Sequence, residues 1–209
     1  MRLYGSPRSP YARKVMVAAH ELGLAGRITQ VHVVVSTTHV NAELARHNPL
    51  GQIPTLVLDD GTILCDSLVI CEYLDGVAGR AALFPVAPPQ RSDALTRHAL
   101  GHGVMDTLVR LFGERRRVDD PLQPVYVKAF RDKFHRVLDA WEARCAGTGC
   151  RHEPAIDIGD IAMACALSYA DFRFDEEHWR DARPALAAWH ALFAQRPAMR
   201  ATEYSAPAT

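Results

Sequence analysis

Strand-like runs in this chain are confined to its first third, where they alternate with helical ones. Arg2-Leu3-Tyr4 reads as a short strand, and residues 11–24 place Val15, Val17, Ala18, Leu22 and Leu24 at helical spacing. Residues 28–35 are rich in β-branched side chains, as strands are, and 41–47 suit a short helix. Residues 55–58 and 62–64 flank Asp59-Asp60-Gly61, whose glycine supplies the positive φ that a tight hairpin turn needs. A helical pattern restarts at Ser67. The resulting order, β-α-β-α-β-β-α, predicts a small sheet with helices on both faces, over residues 1–77. A Gly- and Pro-containing stretch, 78–90, reads as a linker. The remainder, 91–209, shows helical patterns at 91–117, 125–145, 157–172 and 184–195, so an all-helical second domain is expected.

Composition narrows the function. Lys plus Arg and Asp plus Glu both number 24, so no net field favours a polyanion and nucleic acid is not the expected partner. No apolar run approaches the ~18 residues of a membrane span, and no membrane partner is expected. The five cysteines lack framework spacing; they read as mainly buried, small apolar side chains in a reducing, cytoplasmic setting. The ten histidines include His98 and His102 on one helix face, but no His-Glu-x-x-His or paired Cys-x-x-Cys occurs, so both read as surface or pocket residues and no metal is expected. Cys145, Cys150 and His152 read as a thiol-bearing helix end.

Three motifs carry chemistry. Ser9-Pro10-Tyr11-Ala12 starts a helix: a serine cap accepts a backbone N–H, and proline at the first helical position lacks a donor that would be orphaned anyway. A capping hydroxyl keeps its own proton to donate. A ligand thiol placed here would meet that O–H and the positive end of the helix dipole, both of which favour thiolate. In Asn48-Pro49-Leu50-Gly51-Gln52-Ile53-Pro54-Thr55-Leu56, a proline directly before a strand implies an edge, bulge or turn. Asp66-Ser67 precedes a helix, where unpaired N–H groups and a hydroxyl suit a carboxylate while Asp66 suits an ammonium.

These motifs resemble the cytosolic glutathione transferase family. Ser9-Pro10-Tyr11-Ala12 is similar to the Cys-Pro-Tyr-Cys of glutaredoxins with both cysteines replaced, which excludes dithiol redox chemistry there, and the stretch 6–15 looks like the opening of serine-type transferases, bacterial and tau-like. The resemblance implies an N-terminal α/β thioredoxin-like domain and an all-α C-terminal helical bundle. It implies that Ser9 hydrogen-bonds the glutathione sulfur, that Ile53 before a cis Pro54 clamps the cysteinyl part, and that Asp66 and Ser67 hold the γ-glutamyl end. Gln52 and His39 are the candidates for the glycine carboxylate. A hydrophobic electrophile would lie near Arg8, Tyr11, His102, Met105 and Asp106, and the family is normally homodimeric. The expected function is glutathione conjugation; another glutathione-dependent reaction (isomerase, dehalogenase or peroxidase) or a non-catalytic binding role on the same fold are the alternatives.

One further motif concerns folding. Pro154-Ala155-Ile156-Asp157-Ile158-Gly159-Asp160-Ile161 resembles the family's buried N-capping motif, with Asp157 as cap, Asp160 three positions on, and Ile156 and Ile161 as a hydrophobic staple. A second acid here costs stability if both are buried.

Overall fold

A computed structural model describes residues 1–36, 38–147, 149–150 and 156–204. His152, Pro154 and Ala155, named above, lie outside the described residues. The chain divides into two compact units: Met1–Arg91 with the segment from Pro197 onward, and Ser92–Arg196.

The first unit contains β1 (Arg2–Gly5), α1 (Pro10–Glu21), β2 (Thr29–His32), α2 (Ala42–His47), β3 (Thr55–Val57), β4 (Ile63–Leu64) and α3 (Ser67–Ala78). The sheet order is β2-β1-β3-β4; β2 is parallel to β1, and β3 is antiparallel to both β1 and β4. Alternation along the strands divides the core. Tyr4, Val31 and Val57 pack with Leu44 of α2 on one face. Leu3 and Leu56, paired across β1 and β3 and fully buried, point to the other face, where a Cβ on Gly5 would come 3.1 Å from Ala12 of α1. Helices α1 and α3 pack on each other. This is the expected thioredoxin-like arrangement.

Several boundaries differ from the sequence expectation for identifiable reasons. The strand expected over 28–35 ends at His32, because its only neighbour, β1, ends at Gly5; Val33 N–H still donates to Gly5 O (2.9 Å), and Val34 is already exposed. Helix α1 stops at Glu21 rather than 24 because Gly23 (φ 73°) forms a left-handed cap: Gly23 N–H donates to His20 O and Leu24 N–H to Ala19 O. Helix α3 continues past Gly76 to a left-handed Gly79. The expected linker 78–90 is correspondingly shorter and more ordered than its composition suggests. The buried Asp75 carboxylate accepts N–H bonds from Ala82 (2.9 Å), Leu83 (2.9 Å) and Phe84 (3.2 Å), and the side chains of Leu83 and Phe84 are buried.

The second unit is helical: α4 (Pro88–Glu114, beginning in the first unit), α5 (Gln123–Ala146), α6 (Ile158–Arg173) and α7 (Pro184–Ala194). Helix α6 is buried nearly all round, as its run of Ile, Ala, Met, Cys and Leu requires of a central helix. Trp141 and Trp189 join α5 to α7 with ring centroids 5.5 Å apart. Helix α4 comes so close to α6 that a Cβ on Gly101 would lie 2.7 Å from the Met163 backbone nitrogen. A short α8 (Pro197–Arg200) belongs to the first unit and packs on α1, so the described residues of the segment expected as 91–209 form no strand but are divided between the two units. There Arg13 donates to Met199 O (3.2 Å) and its guanidinium lies 4.5 Å from the Tyr204 ring centre.

The cysteines require a correction. Read as mainly buried thiols in a reducing setting, the cysteines include a pair, Cys145 and Cys150, joined by a disulfide across Cα atoms 4.7 Å apart, and an exposed Cys65; Cys71 and Cys165 are the buried thiols. His98, expected at the surface or in a pocket, is buried beside His102, with ring centroids 5.4 Å apart. Among the described residues no group of three or more His, Cys, Asp or Glu is arranged to hold a metal, and no helix is long and apolar enough to cross a membrane.

Candidate functional site

The strand register brings the three motifs to one end of the sheet. Strand β1 leaves the sheet at Gly5 and leads through Ser6–Arg8 into the Ser9 cap. Strand β3 runs the other way, with Thr55 opposite Tyr4, so Ile53 and Pro54 enter it at the end where β1 leaves. Strand β4, antiparallel to β3 with Leu64 opposite Leu56, exits towards that same end and continues into Asp66 and Ser67.

At the first motif Ser9 is buried, with extended backbone (φ −86°, ψ 122°), and its Oγ accepts from Ala12 N–H at 3.2 Å. The hydroxyl proton is left to donate elsewhere. Tyr4, the other N-terminal hydroxyl, is buried on the α2 face, where its oxygen lies 3.4 Å from Glu43 Oε1 and 3.2 Å from His47 Nε2. Tyr11 is half-buried on the first turn of α1, and Arg8 is exposed.

At the second motif the Ile53–Pro54 peptide is cis. The loop carrying it is tied from beneath by the buried Asn48, whose Nδ2 donates to Gln52 O (3.0 Å) and Thr55 Oγ1 (3.0 Å) while its Oδ1 accepts from Leu50 N–H (3.0 Å). Gln52 itself is exposed and Ile53 half-buried.

At the third motif Asp66 caps α3, its Oδ1 accepting from Leu68 N–H at 2.9 Å. Asp66 is exposed, whereas Ser67 is 1 % exposed and its Oγ has no hydrogen-bond partner among the described residues. Burying an unsatisfied hydroxyl costs about 1–3 kcal/mol.

The weaker candidates scatter. His39 is exposed and its Nδ1 pairs with Thr38 Oγ1 (2.9 Å). On α4, His102 Nε2 lies 3.8 Å from Asp106 Oδ1, both half-buried, while Met105 is fully buried and presents no surface to a ligand. A Ser168–His190–Asp171 array on α6 and α7 has the membership of a hydrolase triad but not its protonation. Arg180 Nη2 lies 3.3 Å from His190 Nδ1, nearer than Asp171 Oδ2 at 3.9 Å, and His190 Nε2 lies 3.0 Å from Ser168 Oγ; an arginine donor at Nδ1 favours the tautomer with the proton on Nε2. Asp171 is instead engaged by Arg180 and by Trp179 Nε1 (2.8 Å).

A helix-capping hydroxyl at Ser9, the cis Ile53–Pro54 segment, and a second helix start with the exposed Asp66 carboxylate and the buried Ser67 hydroxyl thus lie at one end of the sheet. Two family descriptions match the chain: the glutathione S-transferase N-terminal domain over residues 8–77 and the C-terminal domain over 93–192.

The chain belongs to the glutathione transferase family. It superposes on a glutathione transferase family member from Pseudomonas fluorescens Pf-5 with bound glutathione, at a TM-score of 0.90 and 38 % identity, covering 98 % of this chain and 99 % of that one. A glutathione S-transferase from Methylobacillus flagellatus KT with glutathione bound gives a TM-score of 0.84 at 33 % identity, covering 98 % and 99 %. The uncharacterized GST-like protein YibF of Escherichia coli K12 is 29 % identical over 188 residues, 89 % of this chain and 90 % of its own. Within a transferase frame, Asn48 and Asp75 are the supporting residues that motif reading passed over. Asn48 stood in a recognised motif without a role, and Asp75 had no local signal at all.

Proposed function

We propose that this transferase binds glutathione at the Ser9, Ile53–Pro54 and Asp66–Ser67 end of its sheet and activates the thiol for attack on a hydrophobic electrophile. The observation that carries the reading is the Ser67 hydroxyl, buried without a partner at the end of the sheet where the Ser9 cap lies. The γ-glutamyl carboxylate accepts from Ser67 and the first N–H groups of α3, and its ammonium meets Asp66. Ile53 offers its backbone to the cysteinyl unit. Ser9 donates to the sulfur while the N-terminus of α1 favours negative charge there. The thiolate then attacks the electrophilic carbon, forming the C–S bond, and the leaving group or the adjacent carbon takes the electron pair. Gln52 and His39, both exposed, are the residues proposed towards the glycine carboxylate. Arg8, Tyr11, His102 and Asp106 are those proposed towards the electrophile. Family resemblance supports a serine-type subclass, a cytoplasmic location and a homodimer.

A thiol pKa near 8.5 lowered by one to two units raises the thiolate fraction at neutral pH by about 10-fold or more. Ser9→Ala should therefore slow conjugation of an activated aryl halide by about 10- to 30-fold with little change in glutathione affinity measured by calorimetry. Equal rates for variant and parent would reject the role of Ser9. Tight glutathione binding by a parent that conjugates no electrophile in a broad panel would transfer the site to another glutathione-dependent reaction or to a binding role.

A further inference from the structure

The Cys145–Cys150 disulfide lies outside every group used above, and its surroundings give it a consequence. It closes the C-terminal end of α5, where Gly149 N–H donates to Arg144 O (3.1 Å) and Arg144 Nε donates to Gly149 O (2.9 Å). A Cβ on Gly149 would lie 2.8 Å from Arg144 Cγ, so the loop is folded tightly onto this arginine. The other end of the guanidinium reaches out of the loop: Arg144 Nη2 donates to Asp93 Oδ2 (3.3 Å), which also accepts from Arg97 Nε (3.0 Å). Arg97 in turn holds both Asp157 and Asp160 at the start of α6. A continuous line of polar contacts thus runs from the disulfide loop to the buried cap of the central helix.

The bond is placed to be exchanged. Only four residues separate the two cysteines, so the cross-link restrains the unfolded chain less than a long loop would. Cys145 is half-buried while Cys150 is buried, so of the two Cys145 is the more accessible to an incoming thiolate.

We infer that Cys145–Cys150 is a thiol–disulfide exchange site for a small thiol such as glutathione, and that its oxidation state sets how firmly Arg144 is held and hence the stability of the α6 cap. A glutathione thiolate attacks Cys145 Sγ, forming a mixed disulfide and expelling the Cys150 thiolate, which takes up a proton. A second glutathione thiolate attacks the glutathione sulfur of that mixed disulfide, releasing oxidised glutathione and the Cys145 thiolate, which is protonated in turn. Two thiols are oxidised to one disulfide as the protein disulfide is reduced to two thiols. Glutathione serves here only as a thiol, so the inference stands independently of the conjugation reading.

The test equilibrates the full chain in buffers running from oxidised to millimolar reduced glutathione, quenches with acid, and counts alkylated cysteines by intact mass. Melting temperature is read in the same buffers. Three alkylated cysteines should become five as the buffer turns reducing, since Cys65, Cys71 and Cys165 remain thiols throughout. The melting temperature should fall with the same midpoint by about 3 °C or more. The double variant Cys145→Ser, Cys150→Ser should melt like reduced parent in every buffer. Arg144→Met should keep the change in thiol count but show less than half of the parent's redox-dependent melting shift. Three thiols at every ratio would make the bond a fixed staple, and five at every ratio would deny it. A changing count without a melting shift, or an undiminished shift in Arg144→Met, would overturn the link to the cap.

Discussion

The starts of α3 and α6 are built alike and finished differently. Each is capped by an aspartate that accepts the N–H two residues on: Asp66 from Leu68 and Asp157 from Gly159, both at 2.9 Å. At α6 the chain then satisfies everything. Asp160 returns a bond from Asp157 N–H (3.1 Å), completing a capping box, and Arg97 donates to Asp157 Oδ1 (2.9 Å), Asp157 Oδ2 (2.5 Å) and Asp160 Oδ1 (2.8 Å). All three side chains are buried, and Ile156 and Ile161 are buried with them. Burial works against the guanidinium charge, but the bond to Asp157, the nearby charges of Asp160 and Asp157, and the bond to Asp93 outweigh it and hold the Arg97 pKa above its ordinary value. At α3 the cap carboxylate stays exposed and the hydroxyl beside it stays buried and unmatched. The same local device is closed by its own chain in one place and, in the other, is the helix start proposed above to receive a ligand.

The comparison can be broken from either side. The largest effect is expected at α6: Arg97→Met removes the guanidinium that bridges two buried acids and should cost about 3–5 kcal/mol of stability, read as a large drop in denaturation midpoint. A loss below about 1 kcal/mol would mean that the acids are solvated in the folded protein. At α3 the signs should separate. Ser67→Ala removes a hydroxyl the fold does not use, so stability should change by less than about 1 kcal/mol, while glutathione affinity should fall by about 10-fold. A parallel loss of both would make Ser67 a structural residue. Least of all, His39→Ala and Gln52→Ala, which change exposed side chains, should each alter glutathione affinity by less than about 5-fold; a larger loss would assign that residue to the glycine carboxylate.

What the sequence revealed and what it concealed follow from the range of the interactions. The Ser9–Pro10 start, the Asp59-Asp60-Gly61 turn with Gly61 at φ 88°, the Asp66 cap and the Asp157/Asp160 box are each closed within three or four residues, so their patterns are readable in a short window. Arg97 lies 60 residues from Asp157, and nothing near it marks it as the counter-ion that makes two buried acids tolerable. Asp75 acts seven to nine residues ahead, on a stretch whose composition suggested a loose connection. The shortness of β2 depends on where a different strand ends. The disulfide depends on the α5 terminus folding back on Arg144, which cysteine spacing alone did not indicate. In the site, the motifs located Ser9, Ile53, Pro54, Asp66 and Ser67 at one sheet end through strand register, whereas the helical candidates rested on the rotational phase of α4, and there Met105 falls inside the protein.

The absence of a side chain at Gly101 also governs motion. With the α4 and α6 backbones this near, neither helix can rotate about its axis or slide past the other without driving a bulkier neighbour into main chain. At that crossing the two helices should therefore behave as a single rigid piece.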